Sequence, residues 1–467
     1  IGEIGPSARE WLEWAASAGQ RIWQVLPLNP VDAYGSPYAS PSAFAHEPLL
    51  LSIDDLVTDG WLREDERPPD APDGPVDWPG VRRGKEPALA SAADRVRDAV
   101  DLHRWASPEL ATWARYQAIG RDTGLPWHLW PAPLRDRDPA ALAEVEDRLG
   151  RSIGRELALQ WLFDHQWGEL RALARRLDVE LWGDVPFFVS WWCADVWDRP
   201  DRWRLDADRR PSVVSGVPPD VFSTLGQLWG HPHYHEPTHA AEGYAWWVAR
   251  FRRALSSVDR VRIDHFRGIA GVWEIAAAEP DARDGRWIPG PGRPLLEALR
   301  RVWPALPFVA EDLGVVTPDV EALRDGFDLP GMAILQFAFG DPSSARDHNP
   351  FLPHAHRRNQ VVYTGTHDND TLAGWEASAD EATRDHARRY LGVHDTRWGL
   401  LTAAWRSVCD SAIVPAQDLL GLGSDARFNV PGREHGNWSW RAPRGAFDRP
   451  LAATLAEESA LSGRLAR

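Results

Sequence analysis

Short apolar runs recur along the chain, and each is followed by polar residues and then by a stretch with helical spacing. Continuous apolar runs of this kind are typical of strands that are buried on both faces of a parallel sheet. The pattern predicts seven such strands, at Arg21–Leu28, Glu180–Val189, Val261–Phe266, Phe308–Leu313, Ala333–Phe339, Val361–Asp368 and Ala412–Leu420.

Helices are predicted between these strands. Arg155–Leu177 carries leucines and a tryptophan at helical spacing, and Tyr244–Leu255 and Pro294–Val302 show the same periodicity. Strands that alternate with helices indicate the α/β class. We predict a (β/α)8 TIM barrel with helical insertions between the strands. Seven strands are one short of a closed barrel, so we expect the first strand to precede Ile1.

Two stretches rich in proline and charge, Arg63–Pro87 and Ala132–Pro139, interrupt the alternation and are interpreted as surface excursions. The sequence shows no internal repeat at the periods of solenoid proteins. We therefore expect one catalytic barrel domain over residues 1–467, with insertion subdomains at about 51–150 and 190–250.

Composition narrows the possible functions. The formal charge of −16 repels nucleic acid and anionic membranes, and no apolar run is long enough to span a bilayer, so we expect neither partner. The two cysteines, Cys193 and Cys409, exclude a disulfide framework and favour a cytoplasmic location. The 27 tryptophans favour a carbohydrate ligand because indole faces stack on sugar rings, although core packing is the commoner role of any single tryptophan.

Acidic residues stand where three of the predicted strands end. Asp264 ends VRID, Glu311 ends FVAE and Asp368 ends YTGTHD, and His265 and His367 flank two of these acids. Active sites of α/β barrels lie at the carboxyl ends of the strands, so we expect the three acids to converge. A helix cap or a loop ion pair would explain any one of them alone. Their shared position favours a catalytic role.

Arg262 gives two of these acids different characters. It lies two residues before Asp264, so both side chains share one face of the strand, and the guanidinium would favour the charged carboxylate that a nucleophile needs. Glu311, facing other carboxylates, would have a raised pKa and could donate a proton. Asp368 could contact sugar hydroxyls and stabilise positive charge. A retaining glycosidase divides the work in this way, with the nucleophile and the acid/base about 5–5.5 Å apart.

The three blocks VRIDHFRG, AEDLG and TGTHDND resemble the catalytic blocks of the amylomaltases. These are 4-α-glucanotransferases of glycoside hydrolase family 77 and relatives of the α-amylases. The resemblance covers nearly the whole chain. It continues in WQVLPLNP, YGSPYASPSAFAHEPLL, GDVPFFV, GVPPDVFSTLGQLWG, LPGMAILQFAF, GSDARFNVPG and GNWSWR.

The resemblance implies a role for each matching acid. Asp264 matches the nucleophile that forms a covalent glucosyl-enzyme, Glu311 the general acid/base, and Asp368 the stabiliser of the transition state. The matching residues that hold the nucleophile or the donor sugar are Arg262, His265, His367, Asp184 and Tyr38. The ring of Tyr38 would stack on the donor sugar.

The resemblance also implies a loop over the cleft at Pro218–Trp229, with Asp220, Phe222, Gln227 and Trp229 as substrate contacts. A lid of this kind would exclude water and present an acceptor, which favours transfer over hydrolysis.

Three segments depart from the family pattern. One residue is missing before Tyr38, where the chain has only Tyr34-Gly35-Ser36. Ser190-Trp191-Trp192-Cys193 stands where the family has a polar stretch. His231 and Glu236 stand where asparagine and tryptophan are usual.

We therefore expect a 4-α-glucanotransferase that takes maltooligosaccharides or amylose as donors and glucose or another glucan as acceptor, with no cofactor and no metal. The histidines at 348, 354 and 356 are too loosely spaced for a metal site. We expect a monomer or a weak homo-oligomer. Two alternatives remain open: a retaining α-1,4-glucan hydrolase, and an inactive glucan-binding protein.

Overall fold

The computed structural model describes residues 2–219, 223–314, 316–339, 349–433 and 435–465. Its strands are β1 Ile22–Gln24, β2 Glu180–Pro186, β3 Val213–Val217, β4 Gln227–Pro232, β5 Arg260–Asp264, β6 Gly271–Ala276, β7 Arg286–Pro289, β8 Phe308–Ala310, β9 Gly331–Ile334, β10 Gln360–Tyr363 and β11 Ser411–Ile413.

The helices of the amino-terminal half are α1 Pro6–Ser17, α2 Ile53–Thr58, α3 Trp78–Ala99, α4 Leu102–Trp105, α5 Pro108–Thr123, α6 Ala132–Arg135, α7 Pro139–Arg176, α8 Ala194–Asp198, α9 Glu236–Ala241 and α10 Ala245–Ser257. Those of the carboxyl-terminal half are α11 Arg267–Ala270, α12 Gly292–Val302, α13 Pro318–Gly326, α14 Leu372–Ser378, α15 Glu381–Leu391, α16 Thr396–Arg406, α17 Ala416–Leu419 and α18 Arg449–Leu461. Among the described residues, no helix is both long enough and apolar enough to cross a membrane.

The seven predicted strands are all present and all parallel to their neighbours. They follow chain order in two sheets, β1-β2-β5-β8 and β9-β10-β11. A hydrogen bond of 2.8 Å from Ala310 N to Pro330 O connects the edges of the two sheets. Parallel strands in chain order with helical connections form an α/β barrel-type fold, and their carboxyl ends lie at one end of it.

The barrel interior is lined by large apolar side chains from strands of both sheets. A buried cluster contains Trp182 from β2, Val309 from β8, Ile334 from β9 and Tyr363 from β10. A larger core lies between the strands and the outer helices. There the long helix α7 packs on α10, and Trp167 Nε1 donates to Ser257 O over 2.7 Å.

Element bounds differ from the prediction where tertiary packing decides them. The predicted strand at 412–420 ends in helix α17, and the run at 333–339 ends in a 3-10 turn. Helix α7 begins at Pro139, where Asp138 caps it, and not near residue 155. Helix α3 begins at Trp78, inside the predicted excursion at 63–87. The later part of the same helix is buried against the core through Ala88, Leu89, Ala92, Ala93 and Val96.

A third sheet, outside the barrel strands, was not predicted. It is antiparallel, with the strand order β4-β3-β6-β7. β3 and β4 come from the segment between β2 and β5, and β6 and β7 from the segment between β5 and β8. The hairpin β3–β4 carries Gln227 and Trp229 towards the carboxyl ends of the barrel strands.

Candidate functional site

One buried guanidinium joins two carboxylates at the carboxyl end of the parallel sheet. Arg262 on β5 is in register with Asp184 on β2, and its Nη1 lies 2.6 Å from Asp184 Oδ2 and 3.0 Å from Asp264 Oδ1. Burial raises the pKa of Asp184, and the Arg262 guanidinium opposes this shift. The Asp264 side chain is 26% exposed, so it reaches the cleft while Arg262 holds one of its oxygens.

Glu311 follows β8, next to Asp264. Its Oε2 accepts the backbone N–H of His265 at 2.6 Å, and its Oε1 accepts that of Leu313 at 3.2 Å. His265 has a left-handed backbone with φ 53°, and this turn points its N–H at Glu311. Burial raises the pKa of Glu311 well above its usual range, the charge of Asp264 adds to the increase, and Arg262 opposes it. Glu311 is therefore suited to hold a proton.

The third acid, Asp368, lies in the loop after β10 and faces the cleft with 43% of its side chain exposed. Asn429 Nδ2 donates to its Oδ1 at 2.6 Å, and Arg427 Nη2 donates to its backbone carbonyl at 2.5 Å. The flanking ring of His367 lies 3.4 Å from the same carboxylate oxygen. Asn429 and Arg427 were not among the predicted site residues, although both belong to the block GSDARFNVPG.

Tyr38 contacts Asp184, the other partner of Arg262, and His367, the neighbour of Asp368. Its hydroxyl donates to Asp184 Oδ2 at 2.7 Å, and its ring stacks on His367 with centroids 4.9 Å apart and planes at 20°. Trp438 lies 5.6 Å from the Tyr38 ring and extends this aromatic wall. Burial raises the pKa of Tyr38, which keeps its hydroxyl a donor. The short segment Tyr34–Ser36 thus leaves Tyr38 within the site.

A second aromatic group borders the site from the antiparallel sheet. The rings of Trp229 and His265 meet edge to face at 4.8 Å, and Trp229 Nε1 donates to Gln227 Oε1 at 3.1 Å. Burial lowers the pKa of His265 to about 4, so its ring is neutral and can both donate and accept a hydrogen bond. Asp220 and Phe222, the other two predicted contacts of this loop, lie outside the described residues.

The loop that carries His367 and Asp368 is fastened at both ends by a buried carboxyl that the sequence analysis did not identify. Asp418 Oδ2 accepts from Thr364 Oγ1 and Asp418 Oδ1 from Leu372 N, both at 2.7 Å. Burial raises the pKa of Asp418 to about 6. Asp418 stands about 50 residues from the loop in sequence, so no local pattern links the two.

Another buried cluster has the residue types of a serine hydrolase but the wrong hydrogen-bond directions. His46 Nε2 lies 3.2 Å from Ser257 Oγ, and Nδ1 lies 3.3 Å from Asp164 Oδ1. Arg253 Nη2 is only 2.8 Å from Nδ1 and can only donate, so Nδ1 is the acceptor and Nε2 carries the hydrogen. A ring in this tautomer cannot take a proton from Ser257, and the cluster is structural.

The site at the strand ends supplies a carboxylate held by a guanidinium, a carboxyl suited to hold a proton, and a third exposed acid. Among the described residues, no group of three or more His, Cys, Asp or Glu side chains is placed to hold a metal ion. A carboxylate paired with a guanidinium and a neighbouring carboxyl that holds a proton can perform nucleophilic and acid/base steps at an acetal carbon.

Comparison with known proteins agrees with this chemistry. The profile of a protein family described as 4-alpha-glucanotransferase matches residues 1–446. The 4-alpha-glucanotransferase of Thermus thermophilus is 42% identical over 97% of this chain and 94% of its own length. That of Synechocystis is 40% identical over 99% of this chain and 95% of its own length.

Two solved structures are similar over nearly the whole chain. An amylomaltase from Streptococcus agalactiae, solved in complex with acarbose, has a TM-score of 0.94 and 30% identity, and the match covers 100% of this chain and 96% of that one. An amylomaltase from Corynebacterium glutamicum has a TM-score of 0.77 and 18% identity, with 98% and 72% covered, and supports the fold alone.

Proposed function

Because the chain belongs to the 4-alpha-glucanotransferase family, glycoside hydrolase family 77, it is a glucan transglycosylase, and we propose that it works by a retaining double displacement on Asp264, Glu311 and Asp368. The observation that carries this assignment is the buried Arg262, which joins Asp184 and Asp264 through one guanidinium. The guanidinium gives Asp264 a cationic partner, whereas burial raises the pKa of the neighbouring Glu311. The two acids therefore suit different steps of the reaction.

In the first step, the free carboxylate oxygen of Asp264 attacks C1 of a glucosyl unit in an α-1,4-glucan. The bond between C1 and the glycosidic oxygen breaks, and Glu311 gives its proton to that oxygen, which leaves on the reducing-end fragment. Asp368, oriented by Asn429, stabilises the positive charge that develops on the ring.

In the second step, the 4-hydroxyl of an acceptor glucan or glucose attacks C1. Glu311, now ionised, takes the hydroxyl proton, and the bond between C1 and Asp264 breaks. Two inversions at C1 retain the α configuration. Tyr38 and Trp438 provide an aromatic wall for the donor sugar, and Trp229 and Gln227 border the acceptor side.

The donors that fit this cleft are maltooligosaccharides and amylose. A cytoplasmic location agrees with the two buried, unpaired cysteines.

Incubation with maltotriose tests the proposal. A transferase gives glucose together with chains longer than the substrate. Chains that are only shorter than maltotriose would identify the hydrolase alternative, and binding of amylose without turnover would identify the inactive binding protein. The Asp264→Asn variant should give none of the products.

A further inference from the structure

Two adjacent tryptophans, Trp191 and Trp192, lie just beyond β2, the strand that carries Asp184. Their ring centroids are 4.6 Å apart, and the ring of His128 lies 4.6 Å from Trp191 and 5.1 Å from Trp192. The three rings are called the aromatic platform below. Trp192 is 45% exposed, which leaves a broad apolar face in contact with solvent. Exposed apolar patches with polar surroundings mark ligand or partner sites.

The backbone under the aromatic platform is fixed by the core. Tyr116 Oη donates to Trp192 O at 2.6 Å, and Trp127 Nε1 donates to Trp191 O at 2.9 Å. The indole of Trp191 in turn donates to Arg209 O at 2.9 Å. Since Tyr116 and Trp127 are both buried, the backbone that carries the two tryptophans is anchored to the core. A preformed aromatic surface binds a ligand with little loss of conformational entropy.

A groove with a volume of about 500 Å³ is lined in part by Arg209, the residue whose backbone carbonyl accepts the indole N–H of Trp191. The groove is lined by charged side chains that pair with acids: Arg199 lies 2.7 Å from Asp201, and Arg209 lies 3.2 Å from Asp136. Such paired charges offer many hydrogen-bonding groups but little net charge. They suit a neutral ligand rich in hydroxyls better than a phosphate or a nucleic acid.

A short stretch of chain connects the platform with the residues that border the catalytic site. Phe188, which follows β2, packs 6.3 Å from the His265 ring and 6.4 Å from the Trp229 ring, between centroids. Trp192 comes four residues later, so its Cα lies within about 14 Å of that of Phe188. The platform therefore lies within the length of a few glucose units from the rings that border the catalytic site.

We propose that the aromatic platform is an additional α-glucan binding site that holds a sugar ring of a long substrate outside the catalytic cleft. The proposal rests on the proposed function, because the occupant is the enzyme's own substrate. The apolar face of the sugar stacks on Trp192, and its hydroxyls meet the polar groove. Maltotriose is too short to fill the cleft and the platform together, so the site acts on long chains alone.

Steady-state kinetics of Trp192→Ala on amylose and on maltotriose test the proposal. Loss of the stacking surface should raise the KM for amylose about three- to tenfold and leave kcat unchanged. The constants for maltotriose should match those of the wild type, and Trp192→Phe should retain most of the affinity for amylose. An amylose KM that stays at the wild-type value in Trp192→Ala would overturn the proposal.

A matched control is Tyr390→Ala. Tyr390 is also an exposed aromatic beside a histidine, with its ring 5.8 Å from that of His354, but it lies on α15 next to another core cluster. This change should alter neither KM. Equal effects of the Tyr390 and Trp192 changes on amylose would mean that the loss is unspecific, and would also overturn the proposal.

Binding without turnover distinguishes this site from the proposed function. In native gels that contain amylose, the Asp264→Asn protein should be retarded, and the added Trp192→Ala change should remove most of the retardation. Equal migration of the two proteins would overturn the site. Light scattering adds a second outcome that would overturn the site. If Trp192→Ala turns a dimer into a monomer but leaves the retardation by amylose unchanged, the surface joins two copies of the chain and does not bind glucan. Failure of the proposed function would appear separately, as a wild type without transfer products.

Discussion

Asp418 offers the sharpest test of how the loop with His367 and Asp368 is held. Its carboxyl accepts one bond from Thr364 and one from Leu372, and burial raises its pKa from an ordinary 3.8 to about 6. This rise in pKa corresponds to about 3 kcal/mol of free energy. The folded state binds the proton more tightly, so the contribution of Asp418 to stability is full below pH 3.8 and is lost as the pH rises through about 6.

Asp418→Asn should therefore stabilise the protein above pH 6, by at most about 3 kcal/mol, because the amide is never charged. The amide oxygen can still accept from Leu372 N, and the Thr364 hydroxyl can rotate to accept from the new NH2 group. Asp418→Ala should instead lose both bonds and leave a buried N–H without a partner, at a cost of about 1–3 kcal/mol for that group. Its kcat should fall, since the loop that bears Asp368 is no longer fastened.

Urea unfolding of the three proteins at pH 5 and at pH 8, together with kcat on maltotriose, measures these effects. The advantage of Asp418→Asn over the wild type should grow between pH 5 and pH 8. If Asp418→Asn is as unstable as Asp418→Ala at pH 8, the carboxylate charge itself stabilises the loop and the reasoning is wrong.

Three further changes test the site. Glu311→Gln should abolish transfer from maltotriose but not the first step with α-maltosyl fluoride, whose leaving group needs no proton. In the wild type, kcat/KM should persist above the usual pKa of a glutamate and fall as the pH rises through the raised pKa of Glu311. An unchanged pH profile of kcat/KM in Glu311→Gln would contradict the role of Glu311. Tyr38→Phe keeps the stacking on His367 but loses the hydrogen bond to Asp184, so kcat/KM on maltotriose should fall about tenfold. Wild-type kinetics in this variant would show that the hydrogen bond does not contribute to catalysis. Asn429→Ala should lower kcat about tenfold with little change in KM, because its bond orients an acid that acts in the transition state; a rise in KM alone would assign it to binding.

The barrel strands could be predicted from the sequence because they lie in mainly apolar runs, and β8, β9 and β10 are buried at every residue. The antiparallel sheet could not, because its strands are partly exposed and one of them, Val213–Val217, contains serine and glycine. The acids could be predicted because barrel geometry places strand ends together. Asp418 and Asn429 could not, since their contacts to the Asp368 loop join segments about 50–60 residues apart in sequence.

The spacing of Arg262 and Asp264 is the clearest link between sequence and site. Two residues apart on one strand, they face the same side, and the structure places their charged atoms 3.0 Å apart. The spacing did not show that Asp184 shares the guanidinium, because that pairing depends on the register between β2 and β5. The arginine therefore fixes the position of the proposed nucleophile through two strands and not through one.

The most direct test of the central claim is to trap the glucosyl-enzyme. Glu311→Gln should react with α-maltosyl fluoride through its intact nucleophile and then stall, because no base activates an acceptor. Mass spectrometry of the digested protein should show one maltosyl adduct, on the peptide that contains Asp264, and no adduct when Asp264→Asn is added. A stable adduct on another carboxylate, or an adduct that survives the Asp264→Asn change, would contradict the account.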